Sequence, residues 1–491
     1  MASNITSFIK NVQDIMRYDA GVNGDAQRIE QLSWLLFLKV YDIREEAWEI
    51  DDDDYESIIP EKYQWRNWAM DSQDGKALTG AEIIQFVDNN LIPTLANLPI
   101  NENTPVRQAI IPEIFSDVNN YMKDGVQLRK LINRVNALDL TDDNTTHDFN
   151  NIYETILKDL QSQRSSGEFY TPRALTDFIS EQIKPKLGES IADLACGTGG
   201  FLISALKILS PQVENVEDQK KYIKSVHGIE KKAFPYLLAI TNLLLHGIDE
   251  PDIIHGNSLT KNINEYTEEE KFDVIMMNPP FGGVEQESVQ NNFPQDLKSS
   301  ETADLFMVLI MSRLKHDGRA GVILPDGFLF STDGAKQKIK RKLLEEFNLH
   351  TIVRLPNDVF QPYTGIHTNI LFFDKSKPTD DVWFYRMDMP NGYKHFSKTH
   401  PIELKHFEKL TLWMNNPKEI KVDDNHKAIK VSKKDIEKND YSLDFAGFSE
   451  KEVKILSPEE EMNQFEEANN DLSQKIAQQL ENIKKELGDI K

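Results

Sequence analysis

The sequence has a single cysteine, Cys196, so no disulfide can form within the chain, and a reducing, cytoplasmic setting is expected. It has no apolar run near the roughly 18–20 residues that a bilayer span needs, so no membrane partner is expected. The start, "MASNITSFIKNVQDIMRYDAG", lacks the uninterrupted apolar segment and small-residue cleavage site of a signal peptide. Positive charge is scarce: 56 Lys and Arg stand against 80 Asp and Glu, a formal net charge of −24. That balance argues against general, unaided adhesion to nucleic acid, but not against a local basic groove or a basic partner. Histidines such as His227, His246 and His255 are scattered without ligand spacing, so no metal is assigned.

What is present is the composition of a globular protein, 39% hydrophobic and 28% charged, in a chain of 491 residues that is too long for one comfortable core. Residues 1–160 read as a helical domain. There "DAQRIEQLSWLLFLKVYDIREEAWEI" sets Ile29, Leu32, Leu35, Leu36 and Val40 at helical spacing behind Asp25, the expected N-cap. Over residues 161–400 short β-like runs ("SIADLA", "VHGIE", "DIIHGN", "FDVIMMN", "GRAGVILP") alternate with helical ones ("GGFLISALKIL", "AFPYLLAITNLLLHG", "ADLFMVLIMSRLKHDG"). Such alternation calls for a parallel sheet covered on both faces. The later runs "HTIVRLP", "TNILFFD" and "VWFYRMD" crowd together with no long helix between them, which points to an antiparallel edge. Residues 401–491 thin out into a charge-rich helical tail, opened by Ser457 and Pro458 as N-cap and N1, whose apolar seam suits another helix.

Five stretches carry chemistry. In "IADLACGTGGFL" an apolar strand runs into Gly197, Thr198, Gly199 and Gly200, and a helix follows at once. Glycines let the backbone approach a ligand at a strand's carboxyl end, where open α/β sheets bind theirs. The dinucleotide fingerprint is not met, because Phe201 and Leu202 follow. Asp193, just ahead of the turn, suits a cationic ammonium or sulfonium better than a pyrophosphate. Glu230 ends "VHGIE", where a carboxylate can accept both ribose hydroxyls; Asn257 and Ser258 in "HGNSL" suit an adenine edge. Upstream, "GEFYTPRAL" starts a helix with Thr171 as N-cap and Pro172 at N1, preceded by Phe169 and Tyr170 as a lid on a flat ligand. An ordinary tight turn and an ordinary helix start explain parts of this. Together the stretches specify a nucleoside beside a positive charge, which describes S-adenosylmethionine.

The fifth stretch is "MMNPPFGG". A ring-conjugated amino group is a poor nucleophile, and two acceptors aimed at its hydrogens would localise its lone pair. The Asn278 side-chain oxygen and the Pro279 carbonyl are such a pair, stiffened by Pro279 and Pro280. Phe281 is placed to stack on a base, a contact worth roughly 1–3 kcal/mol in single-stranded sites. Gly282 and Gly283 let the chain turn away.

These motifs, in this order, resemble the amino-methylating DNA methyltransferases. With the helical front domain, "GEFYTPR", "DLACGTGGFL" and "NPPFGG" resemble the modification subunit of type I restriction-modification systems. The resemblance covers nearly the whole chain, including "PYTGIHTNILFF" at 362–373 and the tail. It implies an α/β Rossmann-like S-adenosylmethionine-dependent core with an N-terminal all-helical domain and a C-terminal helical tail. The implied activity is methylation of adenine N6 in DNA. A specificity subunit that reads the target, a restriction subunit in the full assembly, and two copies of this chain per specificity subunit are implied as well. Carried over by position, the cofactor contacts would be Glu168, Phe169, Tyr170, Thr171, Pro172, Arg173, Thr198, Gly199, Gly200 and Glu230, with Asn278, Pro279, Pro280 and Phe281 holding the adenine. Cys196 and Gly200 depart from the small residues common in relatives.

Rival readings share the "NPPF" loop: glutamine methylation of a protein, and cytosine-N4 methylation, where Ser is commoner at 278. Cytosine-C5 methylation needs a thiolate, and the lone Cys196 sits in the cofactor turn. Two further segments carry expectations. "KQKIKRKL" reads mainly as a solvated basic face, and the polar run 284–304 as a flexible segment that orders on DNA.

Overall fold

The strand Phe272–Met277 is buried on both faces: Val274 and Met276 enter one apolar cluster, Ile275 and Met277 the other. Side chains alternate across a strand, so only a sheet covered on both sides makes such an uninterrupted apolar run stable. In this computed structural model that strand is β4 of a ten-stranded sheet. The structure describes residues 2–70, 77–138, 170–332, 334–361, 364–397, 400–422 and 425–447, which belong to one compact unit. The tail read from Ser457 onward lies outside them.

The other strands are β1 (Ile191–Asp193), β2 (Val226–Glu230), β3 (Asp252–His255), β5 (Leu314–Pro325), β6 (Asn348–Arg354), β7 (Thr368–Asp374), β8 (Asp381–Arg386), β9 (Ile420–Val422) and β10 (Asn425–Ser432). Their order is β3-β2-β1-β4-β5-β7-β6-β8-β10-β9. Strands β3, β2, β1, β4 and β5 are parallel, and β7 runs against both β5 and β6. The chain leaves β1 for β2 on one side and returns to β4 on the other, so the strand order reverses there. A crevice opens at such a point, beyond the carboxyl ends of the strands. Strands β9 and β10 continue the sheet past residue 400, in a stretch whose sequence showed little pattern.

The front of the chain is helical, with Ala2–Arg17, Gly24–Asp51, Val106–Phe115 and Gly125–Asn136 its main elements. Ile29, Leu32, Leu35, Leu36 and Val40 are all buried. The N-cap of the long helix is Asn23, not Asp25, which lies in the first turn and pairs with Arg28. Lys39 reaches across to donate to the carbonyls of Val135 (2.8 Å) and Asn136 (3.0 Å), supplying partners to the open end of Gly125–Asn136. The bundle packs against the core helix Ala233–Leu245.

Two segments named from sequence make specific contacts. In "KQKIKRKL", Lys336 pairs with Asp304 (3.1 Å), Lys340 is buried and donates to the Leu329 carbonyl (2.9 Å), and Arg341 and Lys342 pair with Glu345 and Glu346. Lys336 and Lys340 are drawn inward, while Lys338 and Arg341 stay on the solvated face. The run 284–304 includes the short helix Glu287–Gln290 and touches its surroundings: Val284 bridges Glu301, Asn292 donates to the Leu259 and Thr260 carbonyls (3.0 Å each), and Phe293 and Leu297 are buried.

Candidate active site

A cavity of about 870 Å³ lies at the carboxyl ends of β1, β2, β3 and β4. That is within the range of small-molecule sites. Of the residues singled out by sequence, Tyr170, Thr171, Asp193, Gly197, Thr198, Gly200, Glu230, Asn257, Asn278, Pro279 and Pro280 line it. Glu168 and Phe169 lie outside the described residues. Pro172, Arg173, Gly199 and Phe281 do not line the cavity, and each is occupied elsewhere.

The glycine turn is stitched from several directions. Gly197 (φ +55°) and Gly199 (φ +79°) adopt left-handed backbone that a side chain would strain. Glu230 Oε2 accepts from the Gly197 amide and Oε1 from the Lys232 amide, both at 2.8 Å. Asn242 Nδ2 donates to the Thr198 carbonyl (3.0 Å), and Arg173 donates to the Gly200 carbonyl (2.7 Å). Arg173 therefore braces the turn from behind. Pro172 is the N-cap of Arg173–Ile183, in place of Thr171, because the Leu175 and Thr176 amides bond the Pro172 carbonyl. Thr171 is thereby released for another role.

That role joins the two ends of the site. Asn278 Nδ2 donates to Thr171 Oγ1 at 3.0 Å, fixing the amide, while Asn278 Oδ1 is buried with no hydrogen-bond partner. A buried acceptor left unpaired costs roughly 1–3 kcal/mol, so its retention at a cavity wall marks a place for a donor. Behind it Gly282 turns with φ +72°, and a Cβ on Gly283 would stand 2.5 Å from Thr302 Oγ1. The loop can take its shape only with glycine there. Phe281, expected to stack on a base, is buried and edge-on to Phe360 with ring centroids 5.9 Å apart.

Burial dominates the electrostatics of the cavity wall. Asp193 is 2% exposed and its carboxyl is pushed up to about 8, first by burial and secondarily by Glu230, against one amide bond from Ala195. Burial also raises the Cys196 thiol, with Asp193 and Glu230 adding to the effect, so no thiolate forms there. Lys231, Lys232, Phe234 and Phe306 line the cavity too, as do Ala26 and Glu30 of the front bundle. The two lysines could have been found by adjacency to Glu230. Ala26 and Glu30 carry no local signal, since they sit far upstream of every motif.

The geometry can be set beside known proteins. The N-6 DNA Methylase family matches residues 144–455, and the HsdM N-terminal domain matches residues 5–135. The chain belongs to the N-6 DNA Methylase family. The methylase subunit of the type I restriction enzyme EcoEI of Escherichia coli is 48% identical over 469 residues, 94% of each chain. A modification subunit of a putative type I restriction enzyme from Vibrio vulnificus YJ016 superposes with a TM-score of 0.77 at 38% identity, covering 89% of this chain and 93% of that one. A chain solved in work on the assembly and conformational transition of the type I R-M system gives a TM-score of 0.80 at 33% identity, covering 98% of both. These likenesses do not favour glutamine or cytosine-N4 as the acceptor. Membership of this methyltransferase family is established, and no helix of the described residues is long and apolar enough to cross a membrane.

Proposed function

We propose that the cavity binds S-adenosylmethionine and that the Asn278–Phe281 loop presents adenine N6 of DNA to it, in a chain that serves as the modification subunit of a type I restriction-modification complex. The observation that carries this reading is the unpartnered, buried Asn278 Oδ1, held in place by Thr171 at a wall of the cavity. The donor set fits the cofactor: Glu230 and Asn257 for its adenosine half, and Tyr170, Thr171, Asp193 and the Gly197–Gly200 turn around the remainder. When bound, S-adenosylmethionine supplies a methyl group on a positively charged sulfur.

The residues of this chain then do three things. Asn278 Oδ1 and the Pro279 carbonyl accept from the target amino group, which localises its lone pair toward the methyl. Glu230 holds the turn closed around the cofactor through the Gly197 amide. The buried walls exclude water from the reacting atoms, and preorganised acceptors are worth most there. The adenine has to leave the duplex to reach them. Pro172, Arg173, Gly199 and Phe281 support this site from behind its walls. The division into a front domain (1–160), a catalytic domain (161–400) and a C-terminal region (401–491) accompanies the proposal, with β9 and β10 added to the catalytic sheet.

A specificity subunit supplies target reading and most of the phosphate contact, a division of labour that the net charge of −24 fits. Two copies of this chain per specificity subunit and a restriction subunit complete the assembly. Titration of S-adenosylmethionine into the purified chain, with native mass spectrometry of the complex it forms with its specificity subunit, tests both parts. Absence of cofactor binding would sink the first part, and a different stoichiometry the second.

A further inference from the structure

The front bundle reaches the cavity as well as the core. Ala26 and Glu30 stand one turn apart on Gly24–Asp51, and both line the cavity that Asp193, Gly197 and Asn278 line. Glu30 is partly buried, and its Oε2 accepts from the Tyr121 hydroxyl. The Tyr121 amide in turn donates to Gln31 Oε1 at 2.8 Å, so the ring is anchored to the same helix. Burial, with Glu30 beside it, pushes the Tyr121 phenol up to about 12, which keeps it a donor at ordinary pH. Glu30 Oε1 has no partner among the described residues.

Two contacts outside the cavity hold this wall to the core. Arg44 Nε donates to Asp249 at 2.7 Å. The Tyr236 hydroxyl donates to Glu113 at 2.8 Å, and its ring stacks on His255 at 4.8 Å and 12°. The other cavity carboxylates differ from Glu30: both oxygens of Glu230 accept backbone amides, Asp193 is buried with its Oδ1 accepting from the Ala195 amide and its carboxyl pushed up to about 8 by burial, and Glu285 Oε1 accepts from Thr302 (3.3 Å).

We propose that Glu30 is a cofactor-contacting carboxylate supplied by the helical front domain, accepting from the ammonium of the cofactor's amino-acid half. This rests on the S-adenosylmethionine reading above. An ammonium offers three donors and a positive charge, whereas the sulfonium offers no hydrogen, so a half-occupied carboxylate recognises the former. Cofactor affinity thereby depends on a residue outside the catalytic sheet, and on how the front domain is docked.

The test is calorimetric titration of S-adenosylmethionine, and separately of adenosine, into the full chain carrying Glu30→Gln. Glutamine keeps an acceptor for Tyr121 but removes the charge, so the melting temperature should hold. Losing one charge-assisted contact should weaken S-adenosylmethionine by about 10-fold and leave adenosine, which lacks the ammonium, unchanged. Tyr121→Phe, which only frees the carboxylate to turn, should give a smaller loss of the same pattern. Unchanged S-adenosylmethionine affinity in Glu30→Gln, or an equal loss for adenosine, would overturn the inference. If the wild-type chain itself bound no S-adenosylmethionine, the proposed function would fail instead, so the two failures are distinguishable.

Discussion

Replacing Asn278 by alanine removes two atoms with opposite energetic roles. Nδ2 donates to Thr171 Oγ1 at 3.0 Å, a bond worth about 1 kcal/mol to the folded chain. Oδ1 is buried without a partner, and deleting it relieves a penalty of roughly 1–3 kcal/mol. The two terms oppose each other, so Asn278→Ala should be no less stable than wild type to within about 1 kcal/mol. Catalysis should respond differently. Deleting one fixed group that faces developing charge costs on the order of 10²–10³ in kcat. A second acceptor, the Pro279 carbonyl, cannot compensate alone, because one acceptor leaves the amine free to rotate. The assay is single-turnover transfer of labelled methyl to DNA by the assembled complex, with thermal melting and cofactor titration on the same preparation. Turnover at the wild-type rate would refute the reasoning, and so would a loss of cofactor affinity that matched the loss of rate.

Three further outcomes follow from the geometry. Glu230→Ala should weaken S-adenosylmethionine binding and also lower the melting temperature, because it unpairs the Gly197 and Lys232 amides; unchanged affinity by calorimetry would remove Glu230 from the site. Asp193 has a ligand-free carboxyl near 8 against an ordinary value near 3.8, so the folded chain holds its proton longer than the unfolded one. Its contribution to stability is therefore full below about pH 4 and lost as pH rises toward 8, and a cationic cofactor that favours the ionised form should bind more tightly from pH 6 to 8. Asp193→Asn should flatten that profile, and a profile that stayed as steep would contradict the assignment. Gly283→Ala should lower both the melting temperature and kcat, since its Cβ would stand 2.5 Å from Thr302 Oγ1; a melt unchanged from wild type would show that the loop has room.

Much of this was legible from residues because apolar pattern and turn chemistry agreed. Strand β4 could be read from "FDVIMM" because both faces are buried. The late strands β9 and β10 escaped because "IKV" and "NHKAIKVS" interleave polar residues, as outer strands of a sheet do, and present no apolar run. The cavity's strand-end residues were predictable one by one, since each closes a strand. The caps were harder. Thr171 and Asp25 are both good capping residues, but Thr171 is claimed by Asn278, 107 positions away, and Asp25 by Arg28. No local rule sees such a competitor. The same holds for Phe281, which packs on Phe360, and for Glu30, whose place in the cavity depends on how two distant segments dock.

The central claim is that this site methylates adenine N6 in DNA, with a partner reading the sequence. The most direct measurement supplies labelled S-adenosylmethionine and unmethylated DNA to the chain alone and to the chain with its specificity subunit, then digests the products to nucleosides. The account predicts label in N6-methyldeoxyadenosine, and only when the specificity subunit is present. Label on protein, or in N4-methyldeoxycytidine, would contradict it.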